Sequence, residues 1–354
     1  MSKKLEPFLE KMSRMDVDTL MVSDLHVIRW LTGFSGSSAR VLLSRQKSLL
    51  FTDFRYGEQV KQEVDAMESV IIQNSFCDSI IEGGYVRGRR VAIQSEHLTV
   101  REAEKLGEKL KEVDIVPVEG FFDEFRVIKN DREVRWMKQA AAISEQVFEE
   151  ILPLISPDVT EAEIAAEISC RHKRHGAEKD SFEPIVASGV RSALPHARPG
   201  KEKFRPGDLI VIDMGCVCNG YASDQTRTVA LGRVPDEARK IYEITREAQQ
   251  LGTDSARPGM PGKELDALVR GYIEKHGYND FFGHGLGHGV GVEVHEKPRL
   301  GKTSEDNLPV GSVFTIEPGI YLPGKFGVRI EDTVIMRENG VEPFQQLTRE
   351  LIEL

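Results

Sequence analysis

Short runs of apolar residues alternate with helical spacing through the first third of the chain. DTLMVS, RVLLS, SLLFTDF, VAIQ and VDIVPV predict strands, and TVREAEKLGEKLKE, between the last two, predicts an amphipathic helix. Strands and helices in alternation give an α/β reading. The texture changes at Asn130. NDREVRWMKQAAAISEQVFEEIL predicts a long helix with Asn130 or Asp131 as its N-cap. A second helix follows in SPDVTEAEIAAEISCRHKRHG, opened by a Thr160/Glu163 capping box and stopped at Gly176. These shifts place a domain boundary near residue 125, dividing the chain into 1–125 and 126–354.

The second part repeats itself. RPGDLIVIDMG and LPVGSVFTIEPG share a glycine, a short apolar strand, and an Ile-acid-x-Gly ending, with Gly207 and Asp213 at the same separation as Gly311 and Glu317. Each copy follows two helical patterns, the second pair being DEARKIYEITREAQQLG and GKELDALVRGYIEKHG. Each leads to another carboxylate, Asp224 in SDQTRT and Glu331 in RIEDT. The expected architecture is two pseudo-symmetric helix-helix-strand-strand halves, each supplying two acids.

Register places the first pair. With Asn219 and Gly220 as hairpin turn residues, Asp213 faces Thr226, and Asp224 falls diagonally on the same face, roughly 7–8 Å away. Two carboxylates there can reach one metal, or two metals ~3.5–4 Å apart. Cys216 and Cys218 go to the opposite face. Four gathered acids repel one another unless a cation compensates; the alternative is pairing with Arg227, Arg329 or Lys325.

GHGLGHGVGVEVHE, residues 283–296, carries three histidines, with glycine at every second position from Gly283 to Gly291. That much glycine opposes helix and predicts extended backbone pressed against a neighbour or ligand. His284 and His288 are then roughly 13 Å apart and do not share a metal, so one is the expected ligand and the other is free for substrate. No G-x-G-x-x-G supports a dinucleotide site. His172, His175 and His276 sit near predicted helix C-termini, whereas His196 lies in a Pro- and Gly-rich loop suited to function.

Composition narrows the classes. The formal charge of −10 argues against a nucleic-acid partner. No apolar run is long enough for a membrane span, the N-terminus lacks a signal-type apolar core, and four cysteines show no CxxC pairing. A cytoplasmic location is the expectation.

Together PHARPG, IDMG, SDQTRT, GHGLGHGVGVEVHE, IEPG and RIEDT closely resemble the Xaa-Pro peptidases of the pita-bread metallopeptidase fold, a group that includes aminopeptidase P and prolidase. LTGFSGSSA and FTDFRYGEQ resemble that family's non-catalytic creatinase-like α/β domain. The resemblance implies five metal ligands, Asp213, Asp224, His288, Glu317 and Glu331, holding two divalent ions. Manganese is the expected metal, with cobalt, iron or zinc as alternatives. It implies substrate or transition-state contacts from His196, His284 and His295, a supporting role for Arg329, and a contact from Arg299 to the substrate's carboxyl end. It further implies cleavage of the bond preceding proline, with Glu317 moving the proton, and a homodimer. LTGFSGS and VASGVRSALPHARPG favour aminopeptidase P, while HEKPR keeps the dipeptidase open. A methionine aminopeptidase would usually lack the first domain. A creatinase-like hydrolase or an inactive binding protein on the same scaffold would be expected to lack metal ligands.

Overall fold

The structure, a computed structural model, describes residues 5–65 and 67–354. The chain forms two compact units, one running to Phe122 and one from Asp123 to Leu354.

All five predicted strands of the first unit form: Thr19–Val22, Ala39–Ser44, Leu49–Asp53, Arg90–Gln94 and Asp114–Val118. A sixth, Glu68–Ile72, joins them in one mixed sheet with parallel and antiparallel neighbours. The periodicity of ESVII is too short to announce itself. Helix Val100–Lys109 starts at a capping box in which Thr99 and Glu102 satisfy each other's backbone N–H groups.

The second unit is built twice over. Helices Asp131–Ile151 and Glu161–Arg174 open at capping boxes on Asn130/Glu133 and Thr160/Glu163. They cover a sheet of Ile185–Ser188, Leu209–Met214 and Gln225–Ala230, and their apolar faces meet it in a core with Phe148, Ile164, Ile210 and Ile212. Helices Asp236–Ser255 and Gly262–Lys275 do the same for a sheet containing Gly287–Gly289, Glu296–Leu300, Val313–Ile316 and Asp332–Arg337, around Tyr242, Val269, Phe314 and Val334. The two repeat glycines share a physical cause. Gly207 and Gly311 have φ of +92° and +86°, a left-handed turn into each acid-bearing strand that a side chain would strain. A backbone bridge, Thr226 to Glu331, links the halves where the acids meet.

Candidate metal centre

The hairpin register holds. Thr226 pairs with Asp213, and Cys218 with Tyr221 around the Asn219-Gly220 turn. Cys216 and Cys218 point into the helix-covered core, away from the acids. In the other half, Ile316 pairs with Asp332, so Glu317 and Glu331 leave the ends of adjacent strands together.

These elements converge on one cavity of about 450 Å³, lined among others by His196, Asp213, Asp224, His284, His288, His295, Glu317, Arg329 and Glu331. Arg299 stands outside it. It pairs with His288 across the neighbouring strands and lines an adjoining cavity of about 570 Å³ shared with His288 and His295.

One atom each from Asp224, His288 and Glu331 lies within 4.8 Å of the others. His288 Nε2 is 3.3 Å from Glu317 Oε1 and 3.6 Å from Asp224 Oδ2. Its Nδ1, 3.1 Å from the Gly289 carbonyl, donates there and leaves the Nε2 lone pair facing the acids. Burial, then His295, pushes His288 down to about 3, so the ring is neutral. Its ring lies 4.2 Å from that of His295, which burial and Arg299 also hold below the usual histidine range.

The carboxylates are starved of positive charge. Burial first, then Asp213 and Glu317, raises Asp224 well above its ordinary range. Burial, Asp224, Glu317 and Asp213 do the same to Glu331, whose Oε2 accepts from Thr226 Oγ1 at 2.6 Å. Burial pushes Glu317 up to about 8 despite Arg329, with Thr315 Oγ1 donating to its Oε1 at 3.2 Å. Arg329 commits itself to Asp213 Oδ2 at 2.6 Å, while the other oxygen, Oδ1, is buried with no hydrogen-bond partner. Of the cations that offered an alternative explanation, Arg227 pairs with Asp332 and Lys325 with Glu237; Arg329 alone takes one of the four acids. A buried, oxygen-rich donor set with one neutral imidazole fits divalent metal ions.

The glycine run is explained by close packing. A Cβ on Gly287 would sit 2.0 Å from the Thr315 carbonyl oxygen, and one on Gly289 2.1 Å from that of Lys297. Only Gly287–Gly289 is strand; the flanking residues are irregular, so the extended reading holds for the middle of the segment.

Residues 135–338 match Metallopeptidase family M24, and residues 4–128 match the Creatinase/Prolidase N-terminal domain. The chain belongs to metallopeptidase family M24. A Pyrococcus horikoshii relative named Xaa-Pro dipeptidase is 34% identical over 99% of each chain. Among solved structures, a Xaa-Pro dipeptidase from Bacillus anthracis superposes with a TM-score of 0.96 at 36% identity, covering 99% of both chains. An X-Pro aminopeptidase from Thermotoga maritima gives 0.89 at 35%, covering 97% of this chain and 100% of that one. The expected Xaa-Pro peptidase family and its two-part fold are therefore borne out. The relatives' names favour the dipeptidase over the aminopeptidase that the sequence motifs put first. No helix among the described residues is long and apolar enough to cross a membrane.

Sequence reasoning missed three polar groups of the site. Thr226 was legible as Asp213's cross-strand partner. Thr315 and Tyr321 gave no signal, because each matters through a neighbour that only folding supplies.

Proposed function

We propose that the chain is a Xaa-Pro dipeptidase, hydrolysing the bond between an N-terminal residue and a C-terminal proline. The observation that carries the hydrolytic reading is the meeting of Asp224, His288 and Glu331 ligand atoms within 4.8 Å, beside two further acids. Asp213, Asp224, His288, Glu317 and Glu331 would hold two divalent ions, manganese by family resemblance. When bound, such ions acidify water and polarise a carbonyl.

The chain's own residues do the rest. Glu317, on the cavity wall, accepts a proton as a carboxylate from the attacking water and passes it to the proline nitrogen as the C–N bond breaks. Arg329 fixes Asp213 through Oδ2, leaving Oδ1 for a ligand. His196 and His295, both on the cavity wall, offer N–H groups to the developing oxyanion. Arg299, across the strand pair from His288, is the cation that would meet a free proline carboxylate, and this favours a dipeptide over a longer chain. The homodimer, by resemblance, and the cytoplasmic location, from composition, remain part of this reading.

A competition assay tests the choice. Manganese-loaded protein receives equimolar Ala-Pro and Ala-Pro-Ala, followed by mass spectrometry. Loss of Ala-Pro with the tripeptide intact is expected; early release of Pro-Ala would make the enzyme an aminopeptidase.

A further inference from the structure

Tyr321 lies in none of the motifs that announce the site, yet it is buried against two of the cavity's lining residues, His284 and Arg329. It sits on strand Gly319–Leu322, which pairs with Phe326–Arg329. Both strands give up side chains for its ring. A Cβ on Gly319 would lie 2.4 Å from the Tyr321 hydroxyl, and one on Gly327 would lie 2.8 Å from Cδ1 of the ring. The glycine of IEPG is thus part of a seat for this tyrosine.

The hydroxyl has two partners. Arg329 Nη1 donates to it at 2.8 Å, and His284 Nε2 lies 3.0 Å away. The other histidine nitrogen, Nδ1, is 2.8 Å from the Gly285 carbonyl. A carbonyl only accepts, so Nδ1 carries a proton. Burial, then Arg329, pushes His284 down to about 4, so the ring is neutral and has no second proton. Nε2 therefore accepts, and Tyr321 donates. The bonds run in one direction, from Arg329 to Tyr321, to His284, to Gly285. At its start the same guanidinium holds Asp213 Oδ2 at 2.6 Å and the Pro195 carbonyl at 3.1 Å. Phe282 closes the far side of the imidazole edge-on at 5.1 Å.

We infer that Tyr321 is a positioning residue that locks His284 with both ring nitrogens spent, so that His284 meets substrate through its carbon edge as a wall rather than as a hydrogen-bond donor. The resemblance assigns substrate or transition-state contacts to His284, His196 and His295 together. The geometry separates His284 from the other two, because Tyr321 occupies its Nε2 and the Gly285 carbonyl its Nδ1. The inference rests on the peptide-site reading of the cavity, and it adds a rigid linkage between the arginine that holds Asp213 and the wall that seats the substrate.

The test begins with the unmutated protein. Histidine is labelled with nitrogen-15, the protein is loaded with diamagnetic Zn²⁺, and the His284 signals are identified by their loss in His284→Gln. The expected spectrum has a protonated Nδ1 and a bare Nε2; a proton on Nε2 overturns the inference whatever the enzyme cleaves. Tyr321→Phe should shift the Nε2 resonance and raise KM for Ala-Pro roughly 10-fold with kcat little changed, the scale of losing an outer-shell partner. Gly319→Ala, which drives a methyl into the hydroxyl while keeping the tyrosine, should move both readouts the same way. A Tyr321→Phe spectrum identical to wild type, or an unchanged KM beside a shifted spectrum, would count against the lock. If no X-Pro peptide is cleaved at all, the functional reading fails while the spectrum still decides the tautomer.

Discussion

Asp213 holds Arg329 with one oxygen and nothing with the other, and that imbalance is the most informative feature at the residue scale. An orphaned buried carboxylate oxygen is costly unless a ligand completes it. Asp213→Asn should therefore lose metal uptake and peptidase activity together, by more than the ~100-fold of an outer-shell change. Elemental analysis beside a peptide assay measures both, and full metal content in the variant would remove Asp213 from the ligand set. His284 and His288 show what residue type alone leaves open. Both are neutral and both donate Nδ1–H to a neighbouring carbonyl, yet Nε2 of one faces the acids and Nε2 of the other faces a tyrosine.

Among elements, the strand Gly287–Gly289 carries a tight constraint at both of its glycines. It threads between Glu296–Leu300 and Val313–Ile316, and the space over Gly287 is filled by the Thr315 carbonyl oxygen. Gly287→Ala must push that backbone aside, costing about 1–3 kcal/mol as overpacking does. Because Thr315 Oγ1 also donates to Glu317 and accepts from the His288 N–H, metal affinity should fall along with the urea midpoint. A variant of wild-type stability and affinity would show that the strand can yield. The alternation of glycine was plain in the sequence, and so was the need for close approach. The identity of the approaching strand was not, since Thr315 is 28 residues beyond Gly287 and no local pattern links them.

Across the whole catalytic unit, Arg227 ties the two halves to the C-terminal segment. Nearly fully buried, it donates to the carbonyls of Thr226, Glu331, Leu347 and Thr348 and to Asp332 Oδ1. Lysine cannot reproduce that fork. Arg227→Lys should cost on the order of 3 kcal/mol, the scale of a broken buried pair, read as a shift in the denaturant midpoint. A midpoint within error of wild type would mean that water or a neighbour replaces the missing bonds.

The sequence by itself determined a great deal of this protein. The Asn130 N-cap, the Thr160/Glu163 capping box, the Asn219-Gly220 register and the doubled glycine-strand-acid pattern are local, and local chemistry is written in consecutive residues. Resemblance added which acids and which histidine belong together. Only the tertiary structure decided which strand fills the space over each glycine, which acid Arg329 takes, and that Tyr321 stands between that arginine and His284. Those choices depend on side chains from distant segments competing for the same few ångströms, and a linear pattern cannot rank such competitors.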